Sequence, residues 1–365
     1  MFGRWRKKKR GRAPLPELRL VDYRPRSTLI VPVHEVPRPK YPAVDAHNHL
    51  GERWGGGWDR RPVSELLDTL DAAGVEALID LDGGFGEDLL HAHLDRFKNA
   101  SPERFVVFGG ADWSRFPDEG NSFGEKAAKR LEAQKARGAG GLKIWKSLGL
   151  TVKDAGGRRV AVDDPRLDPL WATAGELQLP VTIHVGDPVA FFEPLDATNE
   201  RFEEIATHPD YQLSGPGHPR FPELIEELAR LVARHPRTTF IGAHVGNYPE
   251  NLGWVSALLD RCPNLHLDLG ARLQELGRQP NGARKFFLAH ADRILFGLDR
   301  PPRPDRYAKY WRFLETDDDY FNASDREVPT QGRWFIHGIQ LPADVLEKIY
   351  RANARRILGL SPGRG

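Results

Sequence analysis

The stretch at residues 43–49, AVDAHNH, decides how the rest of the sequence is interpreted. Its first four residues are small, apolar or acidic, and its last three are two histidines around an asparagine. Because side chains alternate along a β-strand, His47 and His49 point to the same side. Two imidazoles on one side of a strand are a candidate metal-binding pair. The stretch therefore predicts a buried strand with a site at its carboxyl end.

This run is the first of eight apolar runs spaced so that a helix fits after each. The runs lie at residues 43–47, 75–80, 105–109, 141–145, 181–185, 239–244, 265–269 and 294–299. Helices are predicted after them, among others at 64–73, 123–137, 223–234 and 343–358. Alternating strands and helices predict an α/β fold with a parallel sheet, and eight repeats favour a (β/α)₈ TIM barrel over a doubly wound sheet.

The expected domain organisation is a barrel preceded by an arm. Residues 41–360 are predicted to form the barrel, and residues 1–40 a basic, Pro-rich, extended N-terminal arm, with an edge strand at 28–33. Long loops are expected after strands 4, 5 and 8, at 149–163, 186–221 and 300–341. All three follow the carboxyl end of a strand, where barrel enzymes carry their active sites. We expect them to form the walls of a substrate site.

Charge and hydropathy exclude several classes of protein. Of the 53 Lys or Arg and 51 Asp or Glu, residues 1–40 hold 12 and 3. The predicted barrel is therefore mildly acidic, which argues against a nucleic-acid partner. No apolar run approaches the roughly 20 residues of a membrane span, and no apolar signal-peptide segment follows the basic residues at 4–12. We expect a cytoplasmic protein.

The single cysteine limits the chemistry of any metal site. Cys262 excludes an intrachain disulfide, and a lone thiol does not build a thiolate metal site. Any metal must therefore be held by histidine and carboxylate side chains.

Such side chains stand at the ends of four predicted strands. His47 and His49 end strand 1, His184 ends strand 5, His244 ends strand 6 and Asp299 ends strand 8. In a closed parallel barrel these ends meet at one mouth. Neutral imidazoles with a carboxylate are the ligands expected for Zn²⁺, Fe²⁺ or Mn²⁺ in an open, catalytic site.

These strand ends resemble the motifs of a known superfamily. The phrases DAHNH at 45–49, IH at 183–184, GAH at 242–244 and ILFGLD at 294–299 resemble the strand 1, 5, 6 and 8 motifs of the amidohydrolase superfamily. The similarity is greatest to the amidohydrolase-2 branch, which includes metal-dependent hydrolases and enzymes of the aminocarboxymuconate-semialdehyde decarboxylase type. It extends from residue 43 to about residue 358 and implies a TIM barrel.

The resemblance also implies a ligand set and catalytic residues. His47, His49, His184 and Asp299 would bind one divalent transition metal, with Zn expected first and Fe or Mn as alternatives. Asp299 would accept a proton from water, whose pKa a bound divalent ion lowers from about 15.7 to near 7. His244 would bind a second metal or, with one metal present, orient the water and act as acid or base.

Lys143 decides how many metal ions are expected. The phrase GGLKI at 140–144 is similar to strand 4 of urease and related enzymes, in which the lysine is carbamylated and bridges two metals. Many amidohydrolase-2 members have a lysine at a similar place without a second metal. We therefore favour one metal and keep a carbamylated, bridging Lys143 as the alternative. A third interpretation is an ion pair between Lys143 and an interior carboxylate such as Asp299.

Further residues near strand ends are candidates for contacts with a small-molecule substrate. They are Arg272, Trp54, Trp58, Trp145, Asp187 and Asn247. Arg272 follows strand 7, where its guanidinium either holds a substrate carboxylate or forms a structural ion pair. Trp54 and Trp58 flank the glycines at 55–57 and predict an aromatic flap over a ring-containing substrate, or else a cover for the barrel mouth or a subunit contact.

The main functional hypothesis is a metal-dependent hydrolase that cleaves an amide, lactone, ester or related bond of a small, ring-containing substrate. The alternative is a metal-dependent, non-oxidative decarboxylase of an aromatic or enoic acid. Some decarboxylases of this branch have Glu-x-His where this chain has His47-Asn48-His49, which modestly favours hydrolysis. A barrel without catalysis is disfavoured because every expected ligand position is intact. The substrate and a homo-oligomeric state are left open.

Overall fold

Short parallel strands form the sheet of the molecule, for which the computed structural model describes residues 17–19, 22–54 and 56–360. In those residues the strands are β1 (Ala43–Asn48), β2 (Val75–Asp80), β3 (Phe105–Val107), β4 (Gly109–Gly110), β5 (Leu142–Ile144), β6 (Val181–Ile183), β7 (Phe240–Gly242), β8 (Leu265–Asp268) and β9 (Ile294–Leu295). The sheets β1-β2-β3 and β4-β5-β6-β7-β8-β9 contain parallel pairs throughout. Only Phe108 separates β3 from β4, so together they occupy the third predicted strand position.

Backbone hydrogen bonds join the two sheets on both sides. Phe108 N donates to Asp80 O at 2.9 Å, which makes the segment 105–110 a member of both sheets. On the other side, Ala46 N donates to Phe296 O at 2.8 Å and connects β1 to the continuation of β9. Eight strand positions are thus joined into a closed parallel sheet, and the predicted (β/α)₈ barrel is confirmed.

Helices connect consecutive strands. The α-helices found in the described ranges are Val63–Ala73, Glu87–His93, Phe116–Glu119, Phe123–Arg137, Asp168–Glu176, Phe202–Thr207, Phe221–Arg234, Leu252–Arg261, Leu273–Gly277, Pro280–Ala289, Pro304–Glu315, Ala343–Glu347 and Asn353–Leu358. Leu94–Lys98 and Lys348–Ala352 are π-helical turns, and Ser147–Leu150 and Ala243–Gly246 are kinked single turns. Short 3₁₀ turns lie at Trp58–Arg60, Asp82–Phe85, Trp113–Arg115, Gly120–Ser122, Pro165–Leu167, Val189–Phe192, Pro209–Tyr211 and Ala291–Arg293. No described helix is long and apolar enough to cross a membrane.

Consecutive strand residues pack into two separate apolar clusters, as the pleat of a strand requires. Phe240 of β7 joins the large cluster that also contains the helices, whereas Ile241 joins a smaller one on the opposite face. Leu142 and Ile144 of β5 likewise belong to the large cluster. Lys143 lies between them and therefore points to the inside of the barrel.

The long connections contain regular structure of their own. The segment 149–163 forms an antiparallel bridge between Lys153 and Arg159, and 186–221 contains the helix Phe202–Thr207. The segment 300–341, expected as a loop, begins with the helix Pro304–Glu315. Its buried side chains recur at helical spacing and are Tyr307, Tyr310, Trp311, Phe313 and Leu314. This periodicity was the signal for the helix.

The segment before β1 differs from the expectation. The predicted edge strand at 28–33 is absent from this part of the described chain. Pro32 has no N–H to donate to a sheet, and the side chain of Ile30 is 100% exposed, so the segment has neither a ladder nor a buried face. The compact unit that carries the barrel begins at Pro32, and residues up to Val31 form a separate unit. The basic run at 4–12 lies outside the described residues.

Asp45 connects the first strand to the last. Its buried carboxylate accepts hydrogen bonds from Leu298 N at 3.0 Å, Tyr307 Oη at 2.7 Å and Asn48 Nδ2 at 2.7 Å. Burial raises the pKa of Asp45 to about 6, although these hydrogen bonds oppose the rise. One side chain thereby holds β1, the continuation of β9 and the helix Pro304–Glu315 together.

Replacing Asp45 with Ala should strongly destabilise the barrel. The change leaves the donors of Leu298, Tyr307 and Asn48 buried without an acceptor, at about 1–3 kcal/mol for each group. We expect the free energy of unfolding to fall by about 3 kcal/mol or more, measured by urea denaturation in the presence of a chelator. Asp305→Ala, which removes an exposed ion pair with Arg303, is the control and should change stability little. Equal effects of the two substitutions would contradict the assignment.

Candidate metal centre

Two buried carboxylates orient the histidines of β1. His47 Nδ1 donates to Asp268 Oδ2 at 2.9 Å, and His49 Nδ1 donates to Asp82 Oδ1 at 2.7 Å. All four side chains are buried. A carboxylate on one ring nitrogen fixes the tautomer and leaves the other nitrogen as a ligand. The Nε2 atoms of both rings are therefore presented to the interior of the mouth.

Asp299 completes a set of three ligand atoms. Its Oδ1 lies 3.6 Å from His47 Nε2 and 3.5 Å from His49 Nε2. Ligands about 2.1 Å from one tetrahedral ion are separated by about 3.4 Å, which agrees with these distances. Two neutral nitrogens and one carboxylate oxygen are also suitable donors for a divalent transition metal. The residues present therefore fit the divalent transition metal that the sequence predicts.

His244 and His184 lie beside this trio without joining it. His244 Nδ1 donates to Gly270 O at 2.7 Å and lies 3.8 Å from Asp299 Oδ2. His184 Nε2 contacts Gly186 O at 3.1 Å. Among the groups of converging ligand atoms found in the described residues, none contains His184. Its role as a ligand stays a prediction that requires the ring to turn away from Gly186.

Burial keeps both of these histidines neutral. It lowers the pKa of His184 to about 4 and lowers the pKa of His244 well below its usual value, with a further decrease from the positive charge of Arg272. A neutral imidazole is the form that binds metals or accepts a proton. At pH 7 both rings are therefore available for either task.

Lys143 stands in the barrel interior without a hydrogen-bond partner for its Nζ among the described residues. Burial lowers the pKa of Lys143 to about 8, although the negative charges of Asp268 and Asp299 act to raise it. The Nζ atom lies 4.8 Å from the centre of the Trp145 ring. The direct ion pair with Asp299, one of the three interpretations of the sequence, is not formed here. One metal or a carbamylated bridge remain the two alternatives.

The backbone at the strand ends is strained. Within the described chain, nine non-glycine residues have positive φ, and five of them directly follow β7, β8 or β9. These five are His244 (56°), Val245 (59°), Asn247 (64°), Ala271 (52°) and Asp299 (51°). Such conformations cost on the order of 1–3 kcal/mol each and persist where surrounding contacts enforce them. Here they turn each strand end sharply at the mouth.

A cavity of about 200 Å³, hereafter the inner cavity, opens beside the ligand trio. Its wall includes four of the substrate candidates, namely Trp54, Trp145, Asp187 and Arg272. Asp187 pairs with Lys146 at 2.5 Å. Burial alone would raise the pKa of Asp187, but the Lys146 ammonium holds it below its usual value. The pair is thus already neutralised, whereas Arg272 has no carboxylate within ion-pair distance among the described residues and acts on Glu275 and Glu250 only from farther away.

Trp58 and Asn247 lie elsewhere. Trp58 is 2% exposed, belongs to the large apolar cluster and stacks under the Arg61 guanidinium at 3.5 Å. Asn247 is buried, and its Oδ1 accepts a hydrogen bond from Val185 N at 2.9 Å. Both therefore make structural contacts outside the wall of the inner cavity.

Asp82, Asp268 and Arg201 were missing from the candidates read from the sequence. Asp268 ends β8 and Asp82 follows β2, so position at a strand end, the signal that identified Asp299, could have found them. Arg201 comes from the long connection after β6, lines the inner cavity and pairs with Glu204 at 2.5 Å and with Glu275. No local pattern in the sequence marks it.

A parallel barrel with a histidine and aspartate cluster at the carboxyl ends of its strands has the arrangement of a (β/α)₈ enzyme. The chain belongs to the amidohydrolase family, whose sequence pattern residues 44–360 match. The resemblance to the amidohydrolase-2 branch is thereby confirmed, and family membership supports an enzyme. No match was found among curated protein sequences.

Solved structures with a similar fold include three decarboxylases. For 2,6-dihydroxybenzoate decarboxylase from Rhizobium, the identity is 20% and the TM-score 0.53, over 88% of this chain and 99% of that one. Dihydroxybenzoic acid decarboxylase from Polaromonas sp. JS666, with bound manganese and the inhibitor 2-nitroresorcinol, has an identity of 17% and a TM-score of 0.55, over 88% of this chain and 98% of that one. The 5-carboxyvanillate decarboxylase from Novosphingobium aromaticivorans is complexed with manganese and 4-hydroxy-3-methoxy-5-nitrobenzoic acid. Its identity is 15% and its TM-score 0.51, over 88% of this chain and 97% of that one. At these identities the likeness shows a shared fold.

Replacing Lys143 with Met should stabilise the metal-free protein at pH 7. The folded-state pKa of about 8, against 10.5 for an ordinary lysine, means that folding at pH 7 buries an ammonium group. A shift of this size corresponds to about 3 kcal/mol. As pH rises from 8 to 10.5 the folded state releases its proton before the unfolded state does, so this cost disappears. The gain from Lys143→Met should therefore shrink at pH 10.

Urea denaturation with a chelator at pH 7 and pH 10 measures the effect of Lys143→Met. The exposed Lys129→Met serves as the control and should change stability little at either pH. A gain of the same size at both pH values would contradict the buried ammonium.

Substitutions at the ligand trio and behind it should lower metal affinity to different extents. We expect His49→Ala to abolish tight binding of Mn²⁺ or Zn²⁺. Asp82→Asn, which only loosens the hold on His49, should weaken binding about 10- to 100-fold. Elemental analysis after dialysis and competition with a chelating dye measure both. The unsubstituted protein should bind one ion per chain and show an unmodified Lys143 by intact mass.

The control for metal affinity is His235→Ala, which removes a histidine that pairs with Asp168 outside the inner cavity. It should bind metal as the unsubstituted protein does. Native affinity in His49→Ala would disprove the ligand set, and a second ion with a carbamylated lysine would favour the bridged alternative.

Proposed function

We propose that the protein is a divalent-metal-dependent, non-oxidative decarboxylase of an aromatic carboxylic acid. The observation that carries the proposal is Arg272. Its side chain is 7% exposed, lines the inner cavity beside the ligand trio, and has no carboxylate within ion-pair distance among the described residues. Its Nη1 donates to Ala271 O at 3.0 Å, whereas its Nε has no hydrogen-bond partner there. The charge of Arg272 acts to lower the pKa of Glu275 and of Glu250, but neither carboxylate pairs with it directly, so a substrate carboxylate can be its direct partner.

The dimensions of the inner cavity support an aromatic substrate. Its volume of about 200 Å³ leaves room for a single ring. Aromatic side chains in its wall are Trp145, which stacks on His49 with ring centres 5.1 Å apart, Tyr211 and the exposed Trp54. A planar acid can lie against these rings while its carboxylate faces Arg272.

The fold neighbours support the same chemistry. Three of them are decarboxylases named for substituted benzoic acids, and two of those hold manganese together with a nitro-substituted aromatic compound. These properties belong to those proteins, at identities of 15–20%. They favour the decarboxylase over the hydrolase as the first activity to test, and Mn²⁺ beside Zn²⁺ as the metal.

The residues of the mouth can carry out the proton transfer that decarboxylation needs. When bound, a divalent ion supplies positive charge that stabilises the developing negative charge of the reacting acid. Asp299, in its protonated form, donates its proton to the ring carbon that bears the carboxylate. The bond between that carbon and the carboxylate then breaks, its electron pair restores the aromatic ring, and CO₂ leaves. The proton takes the place of the carboxylate on the ring carbon and the carboxylate leaves as CO₂, so the reaction balances without an oxidant.

His244 and Arg272 assist this transfer. His244 Nδ1, whose hydrogen is donated to Gly270 O, lies 3.8 Å from Asp299 Oδ2, so moving this hydrogen bond to Asp299 would return a proton to it while Nε2 takes one from solvent. Arg272 fixes the orientation of the acid. These roles separate the residue that moves the proton from the one that binds the anion.

Hydrolysis is the second candidate function. The observation in its favour is that His47 and His49 are both directed at Asp299. Asp299 could accept a proton from a water molecule beside it, and a metal ion held by these three residues would make that water more acidic. Incorporation of ¹⁸O from labelled water into the product distinguishes this reaction from loss of CO₂.

The test is turnover of 2,6-dihydroxybenzoate and related hydroxybenzoates by protein loaded with Mn²⁺ or Zn²⁺. We expect CO₂ and the ring product in equal amounts, and no activity with a chelator. Asp299→Asn should lower kcat by about 10²- to 10⁴-fold because it removes the proton donor. Arg272→Met should chiefly raise KM, by about tenfold or more, because it removes a charge-assisted contact.

Arg104→Met, which removes a partly exposed arginine paired with Asp71, is the matched control and should retain both constants. Activity that survives Asp299→Asn would refute its role in proton transfer. Product labelled from H₂¹⁸O without CO₂ release would replace the decarboxylase by the hydrolase.

A further inference from the structure

A second and larger cavity, hereafter the outer cavity, adjoins the inner one. Its volume is about 630 Å³, and its wall includes Phe85, Trp113 and the half-buried Ala111. Trp54, Trp145 and Lys146 line both cavities. The two spaces therefore meet along a ridge formed by these three side chains.

A cluster of three rings lies between the candidate metal centre and the outer cavity. Trp145 stacks on His49 with ring centres 5.1 Å apart and on Phe85 with centres 4.0 Å apart, and the centres of His49 and Phe85 are 6.3 Å apart. His49 lines only the inner cavity, Phe85 only the outer one and Trp145 both. Aromatic surface therefore continues from one space into the other.

The cations around the outer cavity already have partners. The ion pairs that engage them are Arg115–Asp112 at 2.8 Å, Arg130–Glu119 at 2.9 Å and Lys146–Asp187 at 2.5 Å. The Arg53 guanidinium lies over the Phe85 ring at 5.0 Å and over the Trp54 ring at 5.6 Å. A second anionic group is therefore not required here, and the acidic Glu87 and Asp88 in the same wall disfavour one, which leaves Phe85 and Trp113 as the aromatic contacts.

The volumes allow the two spaces to serve one ligand. The inner cavity, at about 200 Å³, is smaller than the roughly 300–1,000 Å³ typical of small-molecule sites. The outer cavity, at about 630 Å³, falls inside that range and adds the space that the inner cavity lacks. A ligand that fills both needs one ring beside the ligand trio and a second group beyond Trp145.

We propose that the substrate is an aromatic acid that carries a second, uncharged aryl ring. The carboxylated ring lies in the inner cavity with its carboxylate at Arg272, and the second ring lies in the outer cavity against Phe85 and Trp113. This inference rests on the proposed function and adds the substrate class. Planar rings in offset or edge contact with Phe85 and Trp113 supply the recognition.

The experiment compares 2-nitroresorcinol, in which a nitro group that cannot leave as CO₂ replaces the carboxylate of 2,6-dihydroxybenzoate, with its 4-phenyl and 5-phenyl derivatives by isothermal titration of the Mn²⁺-loaded protein. We expect the affinity of the tighter-binding phenyl derivative to exceed that of the parent compound by about tenfold or more. Ala111→Phe should remove this preference, because Ala111 lines the outer cavity and not the inner one. Ala111→Ser, which adds little volume, should keep it.

Equal affinities of the three nitro compounds for the unsubstituted protein would overturn the proposal, and so would a preference that survives in Ala111→Phe. Thermal melting shows whether that variant folds, and Trp113→Leu, expected to reduce the preference, replaces it if it does not. Titration does not depend on turnover. A phenyl preference without CO₂ release would refute the decarboxylase alone, whereas CO₂ release without the preference would refute the two-ring substrate alone.

Discussion

The hydrogen bonds from His47 to Asp268 and from His49 to Asp82 determine the geometry of the mouth. An imidazole whose Nδ1 is bound to a carboxylate can present only its Nε2, so both rings are directed at Asp299. The arrangement requires the ends of β1, β8 and β9 and the turn after β2 to lie at one level. Closure of the barrel between β1 and the continuation of β9 provides that level, which is why the site depends on the whole sheet.

The same hydrogen bonds create an electrostatic need for a cation. Burial raises the pKa of Asp82 and Asp268, but their contacts with His49 and His47 lower it below the usual range. Both remain anionic near neutral pH, with Asp299 beside them. Lys143 is the single ammonium inside this cluster, and its Nζ has no hydrogen-bond partner in the described part of the chain. A divalent cation at the ligand trio would balance the charges that Lys143 leaves uncompensated.

The sequence predicted the barrel better than the walls of its site. Apolar runs at regular intervals are sufficient for parallel strands, and strand-end position identified the residues now found at the mouth. The sequence could not predict that Trp58 is buried while Trp54 is exposed, because both flank the same glycines and only tertiary packing distinguishes them. Arg201 could not be found at all, since its place depends on ion pairs with Glu204 and with the distant Glu275.

The two cavities differ in how their walls are supported. The wall of the inner cavity includes residues of the long connections after β6 and β9, which Arg333 joins by hydrogen bonds of 2.7 Å to Glu203. The outer cavity is instead lined by residues directly behind β4 and β5, such as Ala111 and Trp145. Side chains so close to the sheet keep a fixed distance from the ligand trio, whereas loop walls vary between folds of the same class. The proposed selectivity for a second ring would therefore rest on residues close to the sheet, and the long connections would shape the space for the reacting ring.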